Sequence, residues 1–172
     1  LALLDDARFA VRDAAVLDLS KRVEPVVAAL SFVVNSESQQ ASRNAVWALS
    51  RIRGEAARAA VREALDSPHP GTQLAAAHSI ADHRDRAAID RLTAILPTAE
   101  PAIRRQAAAA LGRLGDASAV PALLTALQAG GDRFLEHARI HALIKIGDRE
   151  ATIAGLHDRV RDVRRAAVIA FD

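Results

Sequence analysis

The segment IRRQAAAALGRLGDASAVPALLTAL, beginning at Ile103, recurs in degraded form about every 31 residues along the chain. No other feature constrains the fold as much, because a fixed period of this size marks a stacked array of two-helix units. One column of the repeat reads Leu19, Leu49, Ile80, Leu111, Leu143 and Phe171. A second, one helical turn earlier, reads Ala15, Ala45, Ala76, Ala107, Arg139 and Ala167. A third, on the partner helix, reads Leu4, Val34, Leu65, Leu96 and Leu127.

The spacing predicts helix pairs at 7–20 with 22–35, 39–53 with 55–66, 72–83 with 86–97, 102–114 with 117–129, and 132–146 with 149–157. A lone helix follows from 161. Pro and Gly fall between these repeats, as in Ser67-Pro68-His69-Pro70-Gly71 and Gly130-Gly131-Asp132, where they end one helix and admit the next. Within repeats, Leu114-Gly115-Asp116 and Ile146-Gly147-Asp148 place Gly after a helix C-terminus and Asp at the following N-cap. Asp85 takes the same cap position one repeat earlier. On the fourth repeat, Ala107, Ala108, Leu111 and Leu114 share one helical face, and Val120, Leu123, Leu124 and Leu127 share the facing one. A single pair cannot bury such faces alone, so its neighbours must stack on it.

The expected fold is therefore all-α: an α-solenoid, right-handed in its superhelix, of about five antiparallel helix pairs with partial repeats at both ends. It forms one domain over 1–172, with repeats at 7–36, 39–68, 71–99, 101–130 and 132–158 and a partial one from 161. Met is absent, LALLDD reads as the tail of a second helix, and RRAAVIAFD stops inside a first helix. These features predict an excerpt of a longer array.

Composition bounds the chemistry. The pI of 9.9 overstates the basicity, because 23 basic residues face 21 acidic ones and, without Cys or Tyr, little titrates between pH 7 and about 10. The surface is balanced and does not resemble that of a polyanion binder. Absent Cys removes disulfides, thiolate catalysis and Cys-based zinc sites together. No stretch approaches the roughly 18 apolar residues of a membrane helix and no signal peptide opens the chain, so the default expectation is cytoplasmic.

The repeat resembles the HEAT-like repeat family, in the short bacterial form first noted in phycobilin lyases. The residues that carry the resemblance are Ile103-Arg104, Ala107-Ala108, Leu111-Gly112-Arg113-Leu114-Gly115-Asp116 and Ala119-Val120-Pro121-Ala122-Leu123. They return at Val163-Arg164-Arg165-Ala166-Ala167 and partly at Leu143-Ile144-Lys145-Ile146-Gly147-Asp148. The third repeat departs from the pattern, with His83-Arg84-Asp85 in place of Leu-Gly-Asp. The resemblance implies an α-solenoid scaffold and says little about chemistry.

Few residues suggest reaction chemistry. His137 and His141 have the i, i+4 spacing that lets two imidazoles share a metal, but nothing nearby completes a ligand set, so no metal site or cofactor is expected. The acids are spread over caps and exposed faces, with no nucleophile elbow and no phosphate-cradling glycines. The chain is accordingly read as not an enzyme. Arg43, Arg105 and Arg165, with Arg12, Arg104 and Arg164 beside them, form a partial column that Gln73 and Leu74 interrupt. A phosphate stripe is one reading; pairing with turn carboxylates or carbonyls of adjacent repeats is the favoured one.

The expected function is protein-protein interaction on a curved helical-repeat surface, within a larger bacterial-type protein. Second helices line the concave face of such arrays, which places Phe32, Asn35, Glu63, Asp66, Asp90, Thr125 and Gln128 on the partner-binding ladder. Glu63, Asp66 and Asp90 point to a protein or peptide partner with basic character. Trp47 falls on the outward side of its helix, where it either anchors a partner or is covered by a neighbouring segment. The family resemblance alone supports two alternatives: bilin lyase-like or chaperone activity on a tetrapyrrole, and nucleic-acid binding as in HEAT-like alkylpurine glycosylases. An acidic ladder with one Phe disfavours the latter.

Overall fold

The computed structural model describes residues 1–22 and 25–171. Positions 23 and 24 of the expected helix 22–35, and the final Asp172, lie outside the described residues. Among the described residues are eleven α-helices and no strand: α1 Phe9–Ser20, α2 Pro25–Val34, α3 Gln39–Arg51, α4 Glu55–Glu63, α5 Pro70–His83, α6 Ile89–Ile95, α7 Pro101–Leu114, α8 Val120–Gln128, α9 Arg133–Ile146, α10 Arg149–Leu156 and α11 Arg161–Phe171. Single 3-10 turns extend α4 (Ala64–Asp66) and lead into α6 (Arg86–Ala88) and α8 (Ala117–Ala119). The fold class is the all-α helical repeat expected from the period.

The chain forms two compact units, Leu1–Ile80 and Ala81–Asp172, divided inside α5. In the first, α1 and α2 pack on α3, and α3 packs on α4. In the second, α6 and α9 pack on α7, α8 packs on α9, and α10 and α11 pack on each other and on α8.

The three columns of the sequence are the cores of these units. Leu49, Ile80, Leu111 and Leu143 are buried, as are Leu4, Val34, Leu65, Leu96 and Leu127. Each fully buried Leu or Ile contributes roughly 2 kcal/mol of apolar burial. Small residues between them let backbones approach. A Cβ built on Gly112 of α7 would lie 2.9 Å from Ala142 Cα of α9, so this helix pair closes on a bare backbone. Leu19 and Phe171, in the first and last repeats, are only half-buried.

Turn chemistry follows the repeat. Asp85, Asp116 and Asp148 each accept a backbone N–H, from Ala87 at 3.2 Å, Ser118 at 3.0 Å and Ala151 at 2.8 Å. Gly115 and Gly147 end α7 and α9 in the left-handed region, at φ 64 and 66. The third repeat has Arg84 in that position, at φ 50. Arg is strained there by roughly 1 kcal/mol, because its Cβ crowds the following carbonyl.

Candidate functional site

The arginine column resolves into two kinds of residue. One kind ties repeats together. Arg104 Nε donates to the Leu96 carbonyl at 2.8 Å, Arg12 Nη1 to Asp6 and Ala7 at 2.7 and 2.9 Å, and Arg164 Nη1 to Asp158 and Arg159 at 2.9 Å each. Each caps carbonyls left open where the preceding second helix or turn ends. Ser42 does the same for Val34 O at 2.5 Å and Gln73 for Ser67 O at 2.9 Å. Gln73 therefore continues the column by another side chain and does not interrupt it. The fifth repeat has Glu136 at this position, which cannot donate. Arg139 replaces it from one turn later, bonding Gly130 O at 2.6 Å from a fully buried position that is Ala in the other repeats.

The other kind lies one residue further on. Arg105 is 3.9 Å from Asp132, and Arg165 pairs with Glu136 and, at 3.7 Å, with Asp162. Arg43 occupies the same place in the second repeat and has no hydrogen-bond or ion-pair partner among the described residues.

Arg43 lines a cleft of about 540 Å³ between α1 and α3. On α1, Phe9, Arg12, Asp13 and Val16 follow the i, i+3, i+4, i+7 rule for one helical face; on α3, Arg43, Asn44, Trp47 and Arg51 face them. Phe9 is 72% exposed, with the Arg12 guanidinium 5.7 Å from its ring centroid. Trp47 is half-buried and stands edge-on to His78, with centroids 5.7 Å apart. Asn44 fixes the floor by donating to Leu4 O at 2.8 Å, and Arg51 caps Trp47 O at 2.9 Å. Three guanidiniums against the one carboxylate of Asp13 leave the cleft two positive charges in excess. The cleft thus sets two aromatic rings beside an excess of guanidinium donors.

Sequence reasoning singled out Trp47 but not its surroundings. The signal was present: Arg12 and Val16 lie 31 residues before Arg43 and Trp47, one repeat and one residue away, so adjacent stacked helices carry them. The remaining ladder residues lie elsewhere. Phe32 is 80% exposed on α2, and Asn35, Glu63 and Asp66 are exposed in the first unit. Asp90, Thr125 and Gln128 are exposed in the second, where Gln128 donates to Asp158 at 2.7 Å and Thr125 to Pro121 O at 2.9 Å. His137 and His141 stack at 6.2 Å, and among the described residues no three His, Cys, Asp or Glu gather to hold a metal. No helix among those residues is long and apolar enough to cross a membrane.

Comparison with known families places the repeat. The family model described as HEAT repeats matches residues 23–109, 61–144 and 91–172, which together cover most of the chain. The chain belongs to the HEAT-repeat family. A curated relative, the bilin biosynthesis protein PecE of Mastigocladus laminosus, is 50% identical over 56 residues. That match spans 33% of this HEAT-repeat chain and 21% of the relative, about a fifth of its length. Among solved structures, the complex of CpcE and CpcF of phycocyanin lyase from Nostoc sp. PCC7120 matches with TM-score 0.63 and 22% identity, covering 97% of this chain and 72% of that one. Human deoxyhypusine hydroxylase matches with TM-score 0.56 and 19% identity, over 90% of this chain and 63% of that one. Both likenesses describe the fold.

These comparisons correct the sequence-based expectation that the chain is not an enzyme. The curated relative that shares 50% identity over 56 residues is a bilin biosynthesis protein. That expectation rested on the absence of triads, metal clusters and thiols. Such absences exclude only chemistry performed by those groups.

Proposed function

We propose that this chain is a bilin-handling HEAT-repeat subunit of the phycobilin lyase type, holding a linear tetrapyrrole in the α1–α3 cleft while its helical surface engages a protein partner. The observation that carries this reading is the 50% identity over 56 residues to a bilin biosynthesis protein. The cleft supports it. A linear tetrapyrrole is a flat conjugated chain with two propionate carboxylates and several pyrrole N–H donors. Arg43 and its neighbours match the carboxylates, Phe9 and Trp47 match the ring surface, and Asp13 offers the acceptor for pyrrole N–H.

The chain's own residues bind and orient the tetrapyrrole and shield it from water. These 172 residues include no Cys, so they offer the tetrapyrrole non-covalent contacts. Each unit exposes second-helix residues to a partner: Phe32, Asn35, Glu63 and Asp66 in the first, and Asp90, Thr125 and Gln128 in the second. The acids there favour a basic segment of the partner.

The test is visible absorption and circular dichroism of biliverdin titrated with the chain. Binding shifts the main band and induces dichroism, and Arg43→Glu weakens the affinity about tenfold by setting a carboxylate against a propionate. A spectrum unchanged at saturating protein ends the proposal. Reversal of Glu63, Asp66 and Asp90 to Lys tests the partner face, and unchanged affinity for the acceptor protein removes that part.

A further inference from the structure

The second unit holds a recess of about 740 Å³ that the bilin reading does not use. It is lined by Arg84 and Arg86 from the turn after α5, by Ala109, Gly112 and Arg113 of α7, and by His141 and Lys145 of α9. We infer that this recess binds a phosphate-type dianion, either inorganic phosphate or a small phosphate monoester.

Charge is the first argument. Four cationic side chains and no carboxylate line the recess, and Asp82, Asp85 and Asp116 are the acids of the adjoining turns. Asp82 pairs with Arg113, while Asp116 is held mainly by Ser118, from N at 3.0 Å and Oγ at 2.7 Å, and stands 3.8 Å from Arg86. The side chains of Arg84 and Lys145 have no hydrogen-bond or ion-pair partner among the described residues. These two cations line the recess without an ion-pair carboxylate, and two such charges match one phosphate dianion. His141 adds an imidazole to the lining.

Backbone geometry is the second argument. Arg84 sits at φ 50, in the left-handed position that Gly115 and Gly147 fill in the next two repeats. Gly would relieve the strain, yet it would remove one of the two free cations from the rim. Beside it, the close approach of α7 and α9 at Gly112 leaves no side chain to fill the recess. Planar guanidiniums and one ammonium around an open space form the donor set that tetrahedral oxyanions take.

The experiment is a backbone-amide NMR titration of the full chain with sodium phosphate, and in parallel with glycerol 3-phosphate, each against sodium chloride of equal ionic strength. Saturable shifts confined to residues around 84–86, 112–116 and 145 are expected with phosphate and not with chloride. Tighter binding of glycerol 3-phosphate identifies an ester ligand, and tighter binding of inorganic phosphate identifies the free anion. Arg84→Gly keeps the backbone and relieves its strain, so it folds; it weakens binding about tenfold, as does Lys145→Ala. Shifts that match those in chloride, or an Arg84→Gly variant that binds like the wild type, overturn the inference.

Discussion

Gln73 donates from Nε2 to the carbonyl oxygen of Ser67 at 2.9 Å, as Arg104 does to Leu96 one repeat later at 2.8 Å. The repeat thus preserves a donor at this position more faithfully than it preserves a residue type. Gln73→Leu removes the donor while retaining the bulk, leaving the carbonyl of buried Ser67 without its side-chain partner. It should lower stability by about 1 kcal/mol in urea unfolding, whereas Gln73→Arg should be close to neutral. Equal losses in both variants would show that the bond is not what this position supplies.

Arg139 carries the same task at higher cost. It is fully buried, it makes one bond to Gly130 O, and its Nε and Nη2 have no partner. Burial, with Arg104 nearby, pushes its pKa down, and Asp132 opposes this only in part. Arg139→Met keeps most of the volume, removes the charge and leaves an exposed Gly130 carbonyl to water. The variant should gain about 1 kcal/mol or more in urea unfolding. A loss of that size would mean that the guanidinium stabilises its site.

Two glycines that the repeat motif treats alike differ in physical reason. At Gly112, a Cβ meets Ala142 Cα at 2.9 Å; at Gly115, space is open but φ is 64. Gly112→Ala should cost about 2 kcal/mol or more through forced separation of α7 and α9, and Gly115→Ala about 1 kcal/mol through backbone strain. Thermal unfolding of the two variants ranks them, and the reverse order would contradict the packing described.

Three aspartates set an acid response. Asp6 is held at about 2 by its hydrogen bond from Arg8. Asp116 is lowered by the hydroxyl and N–H of Ser118, and Asp158 by the Val160 N–H and then by Gln128. A depressed folded-state pKa gives stability that is complete above the unfolded value near pH 4 and is lost as pH falls through the folded value. Melting temperature should therefore fall below about pH 4, less steeply in Asp158→Asn. An unaltered slope in that variant would remove Asp158 from the response.

The period made the core legible, because buried Leu and Ala recur on fixed faces and burial depends on little else. The N-caps at Asp116 and Asp148 were equally readable, since their bonds are local. The substitution of Gln73 for Arg was not, because it shows only when a side chain is seen reaching a carbonyl of the preceding repeat. The cleft around Arg43 needed both the stacking register and the knowledge that Arg105 and Arg165 have acids beside them while Arg43 has none. Nor does the spacing of Leu and Ala carry any mark of a ligand or a reaction, so the expectation of a non-enzyme rested on absences that the bilin biosynthesis relative overturns.

The central claim is that Trp47 and Arg43 border a tetrapyrrole site, and Trp47 reports on it directly as the single Trp of the chain. Its fluorescence should fall saturably as biliverdin is added at one equivalent per chain, through energy transfer to a chromophore in the same cleft. In Arg43→Glu the curve should move to about tenfold higher bilin concentration. Emission that declines only in proportion to bilin absorbance, or curves that coincide for the wild type and Arg43→Glu, would contradict it.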